Sequence, residues 1–476
     1  MHKNVLIVFF LILLAVPSFA QTGKVNSDSI PFVPAVNYAA GDGPYSVFCA
    51  DLDGDLDLDL AVADKKSDSV SILKNNGDGT FQTKVDYAAG DGPQSVFCAD
   101  LDGDTALDLA VADYSSDSVS ILKNNGDGIF ILDSNYAVGD GPYSVFCADL
   151  DGDIDLDLAV ANAFSDNVSI LKNNGDGTFQ TKVDYGAGGA PVSVFCADLD
   201  GDLDLDLAVA NWDSDNVSIL KNNGDGIFIL DSNYAVGDGP FSVFCADLDG
   251  NPGLDLALAN EISDNVCILK NNGNGTFQTK IDYGAGDTPQ SVFCADLDGD
   301  TDLDLAVANY LSDNVSILKN NGNGAFQTKV DYATGDGPYS VLCADLDQDS
   351  DLDIAVANYS SDSVSILLNQ TVTDVKDEGI DQLPHLYLLS QNYPNPFNQT
   401  TEIEFTLAKS GFVSLTIYDL LGRKVRTLVS GHLPSGHKSI LWDGKNDSGK
   451  DVASGIYFYK LRIGDFSETK KLVLLK

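Results

Sequence analysis

The sequence predicts an all-β protein, and three observations predict it. An acidic nine-residue loop, Asp-x-Asp-Gly-Asp-x-x-x-Asp in outline, recurs seven times at a spacing of 49 residues, starting at Asp51, Asp100, Asp149, Asp198, Asp247, Asp296 and Asp345. Between the loops lie short runs of Val, Ile and Leu alternating with polar residues and punctuated by Gly, Asn and Asp. Such runs signal strands and tight turns. The period also persists at both ends of the array, where the units are incomplete.

One period holds four strands. In residues 44–92, Ser46–Ala50 precedes the acidic loop, Leu58–Ala63 follows it, and Ser69–Lys74 alternates apolar and polar residues. The turn Asn75-Asn76-Gly77-Asp78-Gly79 then leads into Phe81–Tyr87. An antiparallel meander of about 40–50 residues is the size of a propeller blade. The seventh unit stops after its third strand, near Leu368, while Phe32–Tyr38 aligns with Phe81–Tyr87 at the same 49-residue offset. Adding that orphan strand to the last unit predicts a seven-bladed β-propeller over residues 31–369, closed by its N-terminal strand, with no edge left unpaired.

The charge balance narrows the function. With 27 Lys and Arg against 72 Asp and Glu, the formal charge is −45, which argues against a nucleic-acid partner. The acid is concentrated: the seven loops carry 32 Asp side chains, which repel one another unless cations neutralise them. Carboxylates at loop positions 1, 3, 5 and 9, with a backbone carbonyl from position 7, suit a hard cation of calcium size. The alternative is a solvated acidic turn, but seven loops in one register favour a bound ion. The first loop offers Asp51, Asp53, Asp55 and Asp59 with the carbonyl of Asp57; the second, Asp100, Asp102, Asp104 and Asp108 with Ala106. The third offers Asp149, Asp151, Asp153 and Asp157 with Asp155; the fourth, Asp198, Asp200, Asp202 and Asp206 with Asp204. The fifth has Asp247, Asp249, Asn251 and Asp255 with Gly253, one charge short at position 5. The sixth has Asp296, Asp298, Asp300 and Asp304 with Asp302; the seventh, Asp345, Asp347, Asp349 and Asp353 with Asp351. Up to seven Ca2+ ions are expected, in a structural role, the fifth loop binding most weakly. Gln348 replaces the loop glycine in the seventh.

The first twenty residues read as a signal peptide, with an apolar run from Val5 to Val16 before Ser18-Phe19-Ala20. The run is too short to span a bilayer, and no later segment is long enough to do so. A secreted or outer-surface location is expected. Seven of the eight cysteines, from Cys49 to Cys343, occupy one repeat position, which favours small buried hydrophobes, with disulfides or metal ligation as the alternative.

The array resembles the FG-GAP/VCBS repeat family, the propeller type of integrin α-subunits and many secreted bacterial proteins. The resemblance rests on Asp-Leu-Asp-Gly-Asp followed by Asp-Leu-Ala-Val-Ala, on Asn-Asn-Gly-Asp-Gly-Thr-Phe, and on Gly188-Gly189-Ala190-Pro191 in one inter-blade loop.

Where the repeats disagree, recognition has room. The pair after the second strand varies from Lys65-Lys66 through Tyr114-Ser115, Ala163-Phe164, Trp212-Asp213, Glu261-Ile262 and Tyr310-Leu311 to Tyr359-Ser360. The residue after the inter-blade Pro varies too: Tyr45, Gln94, Tyr143, Val192, Phe241, Gln290 and Tyr339. In a four-strand blade both sets fall on the face opposite the acidic loops. Exposed aromatics there suit an extracellular glycan or protein, with Trp212, Tyr114, Phe164, Tyr310 and Tyr359 as candidate contacts. Drift at tolerant loop tips, with some aromatics packing between blades, is the alternative. Residues 31–369 contain neither His nor Arg, and their Asp residues are committed to repeated loops, so no enzymatic activity is expected. The rival readings are a polysaccharide-active enzyme and a structural surface component.

After a polar linker at residues 370–390, the stretch 391–476 carries about seven short strands, the pattern of a small Ig-like β-sandwich. Its Tyr393-Pro394-Asn395-Pro396-Phe397-Asn398, Trp442-Asp443-Gly444 and Ser454-Gly455-Ile456-Tyr457 are similar, in order, to the type A C-terminal sorting domain of the type IX secretion system. That resemblance implies the type IX machinery as a partner; an Ig-like adhesion module is the alternative.

Overall fold

The computed structural model describes residues 30–370 and, beyond them, 388–389, 392, 395, 397–398, 400–407, 411–419, 423–433, 436–447, 449–463 and 466–474. The expected signal peptide and nearly all of the expected linker lie outside the described residues. Among those described, every regular element is a strand, and no helix is long and apolar enough to cross a membrane. They fall into two compact units divided after residue 374.

In the first unit, β1 (Val36–Ala39) stands apart from the first sheet, which is β2 (Pro44–Ala50), β3 (Asp59–Asp64), β4 (Ser69–Leu73) and β5 (Val85–Ala88) in sequential antiparallel order. The same order recurs in five further sheets. The seventh sheet takes its outer strand from the other end of the chain: β1 pairs with Ser363–Leu367, in register from Val36↔Ile366 to Ala39↔Ser363, with Asp353–Asn358 and Pro338–Ala344 behind. The orphan strand therefore lies where the 49-residue offset puts it.

The β3 run is covered on both faces, which is why it reads as a continuous apolar stretch rather than an alternation. Leu60, Ala61, Val62 and Ala63 are all fully buried. Ala61 and Ala63 share a core with Val96, Leu109 and Val111 of the second sheet, while Leu60 and Val62 belong to a core shared with the seventh. A small-residue face thus meets a large-residue face at each layer, which lets the sheets interdigitate without voids. The outer strand β5 is mostly exposed. All eight cysteines are buried and unpaired, and burial pushes the Cys49 thiol up to about 12.

Side chains bind each sheet to its neighbour. Asn124 donates from Nδ2 to the Leu52 carbonyl of the preceding loop at 2.8 Å, and Asn173, Asn222, Asn271, Asn320 and Asn369 do the same one repeat on each time. Asn75, in the first sheet, donates to the carbonyl of Leu346 in the seventh loop, also at 2.8 Å. The seventh sheet is thus held to the first by the bond that joins the others.

Every sheet also carries a β-bulge at the start of its first strand. Pro44 pairs with Asp64 and Ser46 with Ala63, so Tyr45 is the extra residue. A bulge re-aims the side chain it carries, and here it turns the residue after the proline inward. Tyr45, Tyr143, Phe241 and Tyr339, from alternate sheets, meet at centroid distances of 3.8–6.0 Å. Beneath them, Phe48, Phe97, Phe146, Phe195, Phe244 and Phe293 stack in sequence at 4.7–5.0 Å.

One buried position differs among repeats in a way that sets pH dependence. Asp64 and Asp113 stand where the later repeats have Asn162, Asn211, Asn260, Asn309 and Asn358, all fully buried. Asp64 accepts hydrogen bonds from the Gly41 N–H at 3.0 Å and the Ser71 hydroxyl at 2.6 Å, whereas Asn162 donates to Ser169 Oγ at 2.9 Å. Burial pushes both carboxyls to about 7, outweighing the hydrogen bonds that favour the anion. An unfolded Asp titrates near 3.9, so between about pH 4 and 7 the folded state holds more protons and stability falls as pH rises. The double replacement Asp64→Asn, Asp113→Asn is expected to stabilise the protein at pH 8 by on the order of 2–4 kcal/mol per site and to give little gain at pH 4. Urea unfolding at the two pH values checks this; an equal gain at both would refute the titration argument.

The second unit, taken by itself, has two sheets. Leu388–Leu389, Thr401–Leu407 and Gly436–Trp442 form one, and Lys424–Leu433, Gly411–Asp419, Gly455–Ile463 and Phe466–Leu474 the other. Phe397 and Trp442, from two of the motifs above, lie 5.5 Å apart in a core with Phe405, Tyr457 and Tyr459. The motif aromatics Phe397, Trp442 and Tyr457 are core residues.

Candidate functional site

Each acidic loop is built by its own carboxylates. The position-1 side chain, Asp51, accepts the Gly54 N–H at 2.8 Å and the Leu56 N–H at 3.0 Å. This folds the loop back and holds Leu56 at φ 77°; the same position lies at φ 77–86° in every loop but the fifth, including the β-branched Thr105, Ile154 and Thr301. A non-glycine residue there costs roughly 1–3 kcal/mol. In the fifth loop the position is Pro252, which has no N–H and a fixed negative φ. Gln348 sits at φ 61° where the other loops place glycine, and its side-chain amide donates to Asp57 of the first loop.

The structure brings positions 1, 3 and 9 together. Asp51, Asp53 and Asp59 each offer an oxygen within 4.8 Å of the others, as do the equivalent trios of the next four loops, the fifth included. Position 5 stays outside these trios: Asp55 is exposed, and its Oδ1 accepts the N–H of Asp57 at 3.0 Å. Asp59 is fully buried, its two oxygens taking the N–H groups of Asn75 at 2.8 Å and Leu52 at 3.2 Å. Burial pushes it to about 7; those N–H groups pull it down, while Asp53 and Asp55 push it further up. Such a site lacks positive charge.

Part of that charge comes from a residue the period alone did not single out. Lys74 pairs with Asp53 Oδ2 at 2.9 Å and donates to the Asp127 carbonyl of the next repeat at 2.7 Å. Equivalent pairs link Lys123, Lys172, Lys221, Lys270 and Lys319 to the position-3 Asp of their own loops at 3.0–3.3 Å. The signal was a Lys before each Asn-Asn-Gly turn, replaced by Leu368 only in the seventh unit. Asp53 keeps Oδ1 buried and without a hydrogen-bond partner, as do Asp151 and Asp200. Three converging carboxylates with an unsatisfied buried oxygen fit a divalent cation with oxygen ligands.

The opposite face is asymmetric. Tyr114, Phe164 and Trp212 line one cavity of about 540 Å³ with Tyr143, Phe241, Tyr339 and Glu261. Tyr310 and Tyr359 are not part of that lining; each meets Tyr339 at 5.8 Å, the first edge-on and the second tilted. The residues after the prolines are no open recognition surface, in line with the packing alternative: Tyr45, Gln94, Val192 and Gln290 are buried, and Tyr143, Phe241 and Tyr339 half-buried, in the plug the bulges create. The Tyr45 and Tyr339 hydroxyls are 2.6 Å apart, and burial drives both phenols well above their usual pKa.

The FG-GAP-like repeat family matches residues 51–111, 100–160, 149–209, 198–258, 247–307 and 296–356; each window starts at one acidic loop and runs past the next, so the six cover all seven loops. The FlgD Ig-like domain matches residues 391–463. No curated protein sequence matches the chain. Among solved structures, BBS1N in complex with ARL6DN aligns at TM-score 0.52 and 14% identity, over 72% of this chain and all of that one, a likeness of fold. An Agrocybe aegerita lectin for terminal N-acetylglucosamine aligns at TM-score 0.44 and 24% identity, over 61% of this chain and 80% of that one. PorZ, a surface component of the Porphyromonas gingivalis type IX secretion system, aligns at 0.46 and 13%, over 98% of this chain and 62% of that one. The chain belongs to the FG-GAP-like repeat family and carries an FlgD Ig-like domain after its repeats.

Proposed function

We propose that the seven sheets are the blades of one closed propeller, that its acidic loops bind calcium, and that the protein is a non-catalytic extracellular binding protein acting in adhesion. The observation that carries this reading is the division of labour between the two faces. One face repeats the same carboxylate trio and lysine from loop to loop; the other gathers unlike aromatics around a cavity. Identical sites suit a scaffold, and unlike sites suit recognition of one partner. Bound calcium supplies the charge that the buried carboxylates lack. The chain's own residues shape each loop, hold the position-1 and position-9 carboxylates by backbone N–H groups, and shield the third with lysine. The absence of His and Arg from residues 31–369 supports a binding role over catalysis. In this reading the C-terminal domain is a type IX sorting domain that delivers the protein to the outer surface, from where it recognises a glycan or protein.

Immobilised oligosaccharides and cell-surface extracts test the binding role. Retention is expected in calcium, loss in chelator, and a drop of roughly tenfold in affinity for Trp212→Ala, as for a half-buried aromatic anchor. Cleavage of a retained polysaccharide would refute the non-catalytic reading.

A further inference from the structure

The aromatic face already receives an ammonium group, and the receiver is internal. Lys65 follows the second strand of the first sheet, and its Nζ lies 4.6 Å from the ring centroid of Tyr45 and 4.9 Å from that of Tyr114. Next to it, Lys66 places its Nζ 3.8 Å from the ring of Tyr359. These are the distances at which a cation is attracted by the negative face of a ring. No other repeat has Lys or Arg at this pair of positions.

The aromatic surface continues into a cavity that shares two rings with Lys65, Tyr114 at 4.9 Å and Tyr143 at 5.9 Å from its Nζ, while Trp212, Phe164 and Phe241 have no such partner among the described residues. The cavity of about 540 Å³ has Trp212, Phe164 and Phe241 in its wall, together with three carboxylates, Asp166, Asp213 and Glu261, and its lining contains no Lys or Arg. The Trp212 indole N–H donates to Glu261 Oε2 at 2.6 Å, fixing one carboxylate beside the indole ring. Phe164 is 69% exposed, so the wall is open to a ligand from solvent. Rings beside unpaired carboxylates form a different site from a neutral stacking platform: the rings attract a cation through their faces, and Glu261 supplies the opposite full charge.

We propose that this cavity binds a ligand through an ammonium group, of which a quaternary, methylated ammonium is the best fit. Its methyl groups bury against Trp212 and Phe241 while its diffuse charge faces the rings and Glu261. Methylation also lowers the cost of leaving water, which a primary, strongly hydrated ammonium pays in full. The net charge of −45 enriches cations near the surface and repels anions. The inference rests on the proposed binding face and names the chemistry of its ligand.

Isothermal titration of the full chain in calcium, with choline as probe, tests it. The controls are 3,3-dimethylbutan-1-ol, the neutral isostere of choline, and a panel of neutral oligosaccharides. Choline is expected to bind saturably and at least about tenfold more tightly than the isostere, the difference that one or two cation–π contacts supply. Glu261→Gln keeps an acceptor for the indole and removes the charge; it is expected to weaken choline by about tenfold and leave the isostere unchanged. Lys66→Ala, whose ammonium sits over Tyr359 outside the cavity lining, should leave choline binding as it is. Equal binding of choline and its isostere, no saturation with choline, or indifference to Glu261→Gln overturns the assignment. If an oligosaccharide binds in a Trp212-dependent way while choline does not, the face remains a binding face and the ammonium assignment falls. If nothing in either set binds and no surface partner is retained, both readings fall.

Discussion

Chelation with EGTA is expected to lower the melting temperature of the repeat domain by on the order of 20 °C. Extracellular calcium modules commonly bind at about 10⁻⁴–10⁻³ M, and a site held at about 100 times its dissociation constant contributes roughly 2.7 kcal/mol of stability. Seven loops therefore contribute on the order of 15–20 kcal/mol. A domain of this size gains roughly 0.7 kcal/mol/K of unfolding entropy, which converts that loss into a shift of some tens of degrees. Two features bear on the size. The lysine paired with the position-3 Asp already offsets one charge per loop in six repeats, and the strained φ at position 6 has to be held by something when the ion leaves. The fifth loop is expected to fill last, since it lacks both the position-5 carboxylate and the N–H that steadies Asp247 elsewhere in the series. Calorimetry with and without EGTA, with calcium titrated back, measures both effects. An unchanged melting temperature would falsify the calcium reading, and unchanged affinity on restoring Asp-Gly-Asp-x-Asp to the fifth loop would remove the ranking.

The second large effect is expected at the seam between the last sheet and the first. Removing residues up to Ala39 deletes β1 and strips one whole edge from Ser363–Leu367. It also removes the Ile30 side chain, which is buried, and the half-buried Phe32, which packs on Tyr332 at 5.1 Å. At about 1.5–3 kcal/mol for each large apolar side chain returned to water, the loss is on the order of 5 kcal/mol or more. An unpaired, flat edge also invites pairing between copies. The truncated protein is expected to melt lower and to associate, as read by light scattering, and a peptide of residues 30–40 added in trans should reverse both. A truncated protein that stays monomeric and equally stable would show that β1 is dispensable.

What could be read in the sequence follows from what the period encodes. The acidic loops, the four-strand unit and the displaced first strand were all legible, because each is a local pattern repeated in one register. The carboxylate trios were half legible: the spacing gave the loop, but Asp55 and Asp59 look alike in sequence. Only the fold places Asp59 at the start of a buried strand and leaves Asp55 in solvent. Asn75 was legible as a turn residue and not as a cross-sheet donor, since its partner Leu346 lies 271 residues away. For the residues after the prolines, variation alone left exposure and packing between blades both open. Their variation goes with packing among themselves: Tyr45 and Tyr143, either side of Gln94 in the series, meet at 6.0 Å, and Tyr45 and Tyr339 at 3.8 Å.

The seam has a mechanical consequence. The strand Ser363–Leu367, from which the repeat domain runs on towards its C-terminal neighbour, is flanked by two ladders, one to Asp353–Asn358 and one to β1. Tension applied at Gln370 along that strand loads both ladders together in shear, whereas an edge strand would peel away one bond at a time. The Gln370 N–H donates to the Pro31 carbonyl at 3.0 Å, so the first bond to bear the pull joins the two ends of the array. A pull on the repeats from their C-terminal side is thus borne first by β1 and the segment just before it, which clamp the exit of the array.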